Sequence, residues 1–304
     1  MEIIDLLNYR ERRFGTAIAL GNFDGLHLGH QKLIETMVDR SRELGVKPSL
    51  LLFKGHTRAT IKREKPKMIT NNEHKFQLAK DLGVEIVYLL DFNEDIMRLS
   101  GEEFIRDIVL EKINGKLIVV GFDYRFGYKA SGDTDYLIDL GKKYSIDIEV
   151  VNPVIVDDNI VSSSYIRNLI SLGKIQEVKK ALGRPYSILG NVIPGSNRGN
   201  KLGFPTANIE LIDSFVIPKT GVYFTNTIID NRRFISATNI GYNPTFDGDK
   251  LKIETFILNF SENIYGKTIE IEFMDFLRDD IRFRNSGELI KQMELDIETI
   301  KNRY

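Results

Sequence analysis

"ALGNFDGLHLGHQKLI", residues 19–34, is the stretch whose reading decides the fold. An apolar run ending at Leu20 meets Gly21, Asp24 and Gly25, and an amphipathic pattern begins near Leu28. A strand that turns through glycines into a helix is the opening unit of an α/β sheet. His27 and His30 stand three apart at the start of that helix, so they share a face. The same end of a helix carries unpaired N–H groups and the positive end of the dipole. Gly21, Gly25 and Gly29 let an anion come close to the backbone. A metal site, a phosphate site and simple packing are the three possible readings. Zinc usually needs three or four ligands, and the remaining histidines, His56 and His74, show no spacing that joins them to the pair. The strand–glycine–helix context favours phosphate.

The pattern around this stretch extends it. From Thr16 to about Gly183, short apolar runs such as "TAIAL", "PSLLLF", "VEIVYLL", "KLIVVG" and "IDIEVV" alternate with helical segments. Helices are expected over Leu28–Leu44 and through "NNEHKFQLAKDLG", "SGEEFIRDIVLEKI" and "DTDYLIDLGKKY". Ser100 and Asn71 or Asn72 are placed to cap two of them. This alternation predicts a Rossmann-like domain with a parallel sheet covered on both faces, over residues 1–183. After "KKALGRPYSILG" glycines and prolines multiply and the apolar runs shorten and alternate, as in "VYFTNTII", "RFISATNI", "KIETFILNF" and "KTIEIEFM". Residues 184–304 are therefore expected to form a small antiparallel β-barrel closed by a helix over Ser286–Lys301.

Composition narrows the classes. The 304 residues are 42% hydrophobic and 28% charged, with 42 basic and 43 acidic side chains. That balance belongs to a soluble globular protein and carries no nucleic-acid footprint. No cysteine is present, which removes disulfides, thiolate zinc sites and a cysteine nucleophile. "MEIIDLLNYRERRFG" lacks the basic-then-apolar order of a signal peptide, and no apolar run nears the ~18 residues of a membrane span. A cytoplasmic protein is expected, with no membrane or nucleic-acid partner, as a monomer or transient homo-oligomer.

"GNFDGLHLGH" resembles the H-x-G-H signature of nucleotidyltransferases. "VVGFDYRFG" (119–127), "SSSYIR" (162–167) and "GNVIPGSNRGNKLGFPTANI" (190–209) follow in order. Together the four segments resemble the bacterial bifunctional riboflavin kinase/FMN adenylyltransferase (FAD synthetase) family over essentially the whole chain. The resemblance implies two ATP-dependent reactions. The N-terminal module adenylylates FMN to FAD with release of pyrophosphate, and the C-terminal module phosphorylates riboflavin to FMN. Riboflavin, FMN and ATP are the implied small-molecule partners, with Mg2+ as the cofactor.

Adenylyl transfer needs no protein nucleophile, because alignment and charge stabilisation suffice. The resemblance implies that His27 and His30 perform that role on the ATP phosphates, with Gly21, Asn22, Asp24 and Gly29 in the same loop. It also implies that Ser162, Ser163, Ser164 and Arg167 hold phosphate, and that Asp123, Tyr124 and Phe126 line the flavin side. The bland readings are a serine cap with a solvated arginine and, for Phe126, plain core packing.

Phosphorylation of a hydroxyl needs a base, a metal and a phosphate cradle. Gly195, Gly199 and Gly203, with Arg198 between them, can wrap a nucleotide, although no P-loop pattern is present. Thr206 and Asn208 share one side of an extended segment and offer hard oxygen donors, and the resemblance makes them the Mg2+ ligands. It assigns the base to Glu254, whose neighbours Ile253 and Thr255 point to the other face. A surface glutamate paired with Lys252 is the bland alternative. Arg278 fits a position implied at the flavin site, and "NIGYNPTF" (239–246) is expected as a loop beside it. The chain departs from the family pattern at Ser164, Tyr165, Asn197 and Phe256 and around His56. A single active module, or a non-catalytic flavin-binding regulator, remains the alternative function.

Overall fold

The computed structural model describes residues 1–9, 14–54, 67–195, 203–245 and 248–303. The chain divides into two compact units, Met1–Ser163 and Ser164–Tyr304.

In the first unit six strands form one parallel sheet: β1 (Glu2–Asp5), β2 (Thr16–Leu20), β3 (Lys47–Phe53), β4 (Ile86–Leu90), β5 (Gly115–Gly121) and β6 (Asp147–Val151). Their order is β1-β4-β3-β2-β5-β6. The connecting helices include α1 (Leu28–Leu44), α2 (Asn72–Asp81), α3 (Glu94–Arg98), α4 (Gly101–Glu103) and α5 (Thr134–Tyr144). Alternate residues of each strand feed opposite cores. Ala17 and Ala19 pack with Leu33, Ile34 and Met37 of α1. Ile18 and Leu20 pack on the other face with Phe104, Ile105, Ile108 and Leu137. The small alanines let α1 lie close, and each buried Ile or Leu contributes roughly 1.5–3 kcal/mol. This is the two-faced parallel sheet expected from the strand–helix alternation.

Local chemistry explains the ends. Glu103 N–H donates to Ser100 Oγ (3.2 Å) and Ser100 N–H to Glu103 Oε2 (2.8 Å), a reciprocal capping box. Asn71 Oδ1 accepts from His74 N–H at 3.0 Å and caps α2. Gly45, at φ 65°, ends α1 in the left-handed conformation that glycine adopts without strain. Two elements differ from expectation. The helix over "EEFIRDIVLEKI" is α-helical only at α4 and continues as a π-helix over Phe104–Lys112, with Ile113 N–H reaching back five residues to Ile108 C=O. Strand β1, only four residues long, shows no period in the sequence and pairs with β4 at the sheet edge.

A short hairpin, β7 (Ile155–Val156) and β8 (Asn159–Ile160), precedes α6 (Ser163–Ser171), at whose start the first unit ends. In the second unit α7 (Ile175–Leu182) buries Ile175, Val178, Ala181 and Leu182 and packs on β9 (Tyr186–Ile193) and on β14. The texture change at Gly183–Pro185 thus marks where the barrel begins, while the compact unit starts earlier, at Ser164. The barrel closes through β10 (Thr206–Leu211), β11 (Gly221–Ile229), β12 (Arg232–Thr245), β13 (Gly248–Ile257) and β14 (Thr268–Arg278), in the order β10-β13-β12-β11-β14-β9, with every pairing antiparallel. "NIGYNPTF", expected as a loop, lies largely within β12 because it pairs residue for residue with β13. Helix α8 (Ser286–Arg303) closes the chain.

The barrel interior is partly hydroxylic. Thr225 bonds Ser236 (2.8 Å) and Thr238 (2.7 Å), Thr227 bonds Ser236 (2.8 Å), and Thr238 bonds Thr255 (2.9 Å). All five side chains are fully buried, and each hydroxyl has a partner, which is what makes them tolerable in a core. Among the described residues no helix is long and apolar enough to cross a membrane.

Candidate active sites

The first site lies at the carboxyl ends of β2 and β5, where the strand order reverses: β3 and β4 lie to one side of β2, and β5 and β6 to the other. Such a switch point opens a crevice suited to a ligand. The loop leaving β2 is held in an unusual shape. Phe23 (φ 47°), Gly25 (φ 86°) and Leu26 (φ 39°) all adopt positive φ, and the two bulky residues stay there because their side chains are fully buried. Asp24 fixes the loop from within. Its carboxylate accepts from Ile69 N–H (3.0 and 3.2 Å) and Thr70 N–H (3.2 Å), while its carbonyl accepts from Ser163 Oγ (2.8 Å). One residue thereby ties the H-x-x-H loop to the approach to α2 and to the serine motif.

His27 caps α1: its Nδ1 accepts from His30 N–H at 3.4 Å, so its ring proton is carried on Nε2. A β-carbon on Gly29 would meet that ring at 3.2 Å, so glycine makes room for the imidazole. His30 stacks on His27, and its Nδ1 is buried with no partner among the described residues. Burial first, and then electrostatic interaction with the His27 imidazole and Lys75, holds His30 well below the usual histidine range. Lys75, on α2, is itself lowered by burial, partly offset by Asp24. Lys75 carried no signal in the sequence, where it looked like a surface lysine on an amphipathic helix.

On the neighbouring strand end, Asp123 is exposed and Tyr124 half-buried, its hydroxyl pushed up by burial. Phe126 is 6% exposed and flanked by Tyr124 (5.7 Å between centroids) and Tyr136 (5.9 Å), both nearly parallel to it. The exposed aromatics of this segment are Phe122 and Tyr128. Gly21 lies against the Phe23 ring, Asn22 is exposed, and Ser162 is half-buried. Ser164 and Arg167 belong to the second unit, on α6.

The second site lies on the outer wall of the barrel. Ile253 (2% exposed) and Thr255 (0%) point inward, which turns Glu254 outward. Pairing sets Glu254 directly opposite Asn208, and Thr206 opposite Phe256. A Cβ on Gly195 would lie 2.0 Å from Asn208 Nδ2, so the chain before β10 passes directly over that amide. Lys252 Nζ lies 2.7 Å from Glu254 Oε2, so the pair foreseen as the bland alternative is present. Among the described residues nothing would lie within 4 Å of a Cβ on Gly203 (φ 84°). Arg278 is occupied: Nε and Nη2 form a two-pronged ion pair with Asp296 of α8 (2.9 and 2.8 Å), and Nη1 donates to Asp279 C=O (3.1 Å). His56, Asn197, Arg198 and Gly199 lie outside the described residues.

Among the described residues no cluster of three or more His, Cys, Asp or Glu could cage a metal. A hydroxyl, an amide oxygen and a nearby carboxylate at Thr206, Asn208 and Glu254 do fit a hard divalent cation that takes its other ligands from phosphate and water.

The FAD synthetase family matches residues 10–165 and the riboflavin kinase family residues 182–304. A bifunctional riboflavin kinase/FMN adenylyltransferase of Bacillus subtilis is 35% identical over 94% of this chain and 92% of its own. That of Buchnera aphidicola subsp. Schizaphis graminum is 32% identical over 98% and 96%. A crystal structure of a protein named as a macrolide-efflux protein from Streptococcus pneumoniae superposes with a TM-score of 0.92 at 29% identity, covering 99% of both chains. Two family matches in tandem, carried by full-length relatives, place the chain in the bifunctional riboflavin kinase/FMN adenylyltransferase family.

Proposed function

We propose that the chain makes both flavin cofactors. In the barrel unit the terminal ribityl hydroxyl of riboflavin attacks the γ-phosphorus of ATP, giving FMN and ADP. In the sheet unit an FMN phosphate oxygen attacks the α-phosphorus of a second ATP, giving FAD and pyrophosphate. The observation that carries the reading is the strand register that sets Glu254 opposite Asn208 on the barrel wall.

In the kinase site Glu254 accepts the hydroxyl proton, with Lys252 steadying the carboxylate. Thr206 and Asn208 hold the divalent ion, taken as Mg2+, which when bound neutralises phosphate charge. Gly195 and Gly203 flank the segment assigned to the nucleotide, and Arg278 borders the flavin site as the tie that holds α8. In the adenylyltransferase site His27 donates from Nε2, and His30 and Lys75 add donors on the same side. Alignment and charge stabilisation supply the rate there. Gly21, Asn22 and Gly29 admit the phosphates, Asp24 and Ser163 hold the loop, and Ser162 borders the anion site. Asp123 and Tyr124 face the flavin, with Phe126 packed behind. The enzyme works in the cytoplasm on small molecules, as a monomer or transient homo-oligomer.

A paired assay tests the reading. Purified protein with ATP and Mg2+ is given riboflavin in one tube and FMN in the other, and the flavins are separated. FMN then FAD from the first, and FAD from the second, is the expected result. Riboflavin that stops at FMN, with supplied FMN unchanged, would remove the N-terminal assignment. Bound flavin without turnover in either tube would leave a regulator.

A further inference from the structure

Glu254 has a second neighbour across the sheet. Asn239 of β12 stands opposite it, just as Asn208 of β10 does on its other side. Residues directly opposite on antiparallel strands project from the same face. Asn208, Glu254 and Asn239 therefore form one row across three adjacent strands, on the outer wall. Strand spacing of about 4.8 Å puts Asn239 roughly one strand beyond Glu254 and about 10 Å from Asn208.

Asn239 Oδ1 is buried and has no hydrogen-bond partner among the described residues. The outward residues flanking it on its own strand, Ala237 and Gly241, have no polar side chain to offer. Among the described residues a Cβ built on Gly241 would meet only Asn239 Nδ2 and Asp280 Oδ2, both at 3.8 Å, so a small group fits beside the amide. A buried carbonyl oxygen left without a donor is disfavoured, and one kept at the end of a row of polar groups calls for a donor from a ligand. An amide oxygen cannot accept from phosphate oxygens, which are acceptors themselves. It can accept from a hydroxyl.

We infer that Asn239 Oδ1 accepts a hydrogen bond from a hydroxyl of the polyol chain of the phosphoryl acceptor, making Asn239 a binding and specificity residue of the kinase site. The inference rests on Glu254 as base and Asn208 as metal ligand. With the nucleotide phosphates on the Asn208 side and the attacking hydroxyl at Glu254, an in-line attack sends the rest of the acceptor away from the phosphates. That direction leads to Asn239. Three residues then divide the work along one line: Asn208 toward metal and phosphate at one end, Glu254 as base in the middle, and Asn239 toward the acceptor's chain at the other.

The test is steady-state kinetics of riboflavin phosphorylation by the full chain carrying Asn239→Leu, which keeps the shape and removes the acceptor. The KM for riboflavin should rise at least tenfold, with kcat within a fewfold and the ATP and Mg2+ dependences within twofold. Wild-type protein should discriminate against 4′-deoxyriboflavin or another side-chain deoxy analogue, and the variant should lose most of that discrimination. Adenylylation of supplied FMN by the same preparation, with its melting temperature, reports folding. If Asn239→Leu does not fold, Asn239→Ser is read against the same analogues. An unchanged riboflavin KM, unchanged discrimination, or a raised Mg2+ requirement in its place would overturn the inference, the last because the ligand would then be a cation. Glu254→Gln is measured alongside. Full turnover in that variant defeats the site reading itself, whereas a silent Glu254→Gln beside an unaffected Asn239→Leu defeats only the role given to Asn239.

Discussion

The rings of His27 and His30 lie stacked, with centroids 3.7 Å apart and planes 20° from parallel. Two imidazoles so close resist carrying two charges, and His30 is further depressed by burial and by Lys75. The unfolded chain binds a proton at His30 near pH 6.5 that the folded protein refuses. Stability from this group is therefore present above that pH and is lost as pH falls from there toward the folded value. The slope is at most about 1.4 kcal/mol per pH unit for one proton. Melting of the protein between about pH 5 and 7.5 should show this loss. In Lys75→Met the His30 resonance should titrate at higher pH by NMR, and the acid loss should shrink.

Asp24 makes its contribution by holding backbone, so Asp24→Ala should destabilise as well as inactivate. The Ile69 and Thr70 N–H groups lose their buried acceptor, at a cost of about 2–4 kcal/mol. Asp24→Asn keeps one acceptor oxygen and should lose less. Urea unfolding and FMN adenylylation check both, and riboflavin phosphorylation should be unaffected.

Gly195→Ala should damage the kinase selectively. The new methyl would occupy the space of the Asn208 amide and force it off its position. The expected result is a tenfold or greater rise in the Mg2+ concentration needed for riboflavin phosphorylation, with FMN adenylylation unchanged. A kinase with wild-type Mg2+ dependence would show that Asn208 is not a ligand.

The Arg278–Asp296 pair is 18% and 9% exposed, and Gln292 adds a bond to the same carboxylate (2.9 Å). Removing one partner leaves a mostly buried charge behind. Arg278→Ala should lower stability by about 2–4 kcal/mol, less than a fully buried pair, and Arg278→Lys by less, because one prong is lost. Chemical denaturation measures both. If Arg278 also touches flavin, Asp296→Asn should reproduce the stability loss without reproducing a rise in riboflavin KM.

Local pattern was enough for much of this molecule. "TAIAL" followed by the glycines and "HQKLIETMVDR" specified β2, its turn and α1, because period, punctuation and burial agree there. The alternation in "KIETFILNF" was enough to put Glu254 outside. What was illegible depended on partners far along the chain. The Asp24 carboxylate looks like a loop acid until Ile69 and Thr70 come up to it. Lys75 looks like a surface lysine until α2 brings it near Asp24 and His30. Asn239 gains meaning only from the register of β12 on β13, which makes a strand of a segment expected as a loop. The π-helix has no sequence period of its own, and β1 is too short to alternate.

The five barrel hydroxyls and the outer row at Asn208, Glu254 and Asn239 occupy alternate positions on shared strands. Reading frame along a strand therefore decides which residues are solvent for the fold and which are reagents. A one-residue deletion in β13 ahead of Glu254, with the pairing partners kept, would turn the carboxylate into the barrel and present Thr255 to the substrate. Length errors in these strands should thus be far more damaging than substitutions of equal size, and a library that varies the barrel core while holding strand lengths constant should leave the chemistry largely intact.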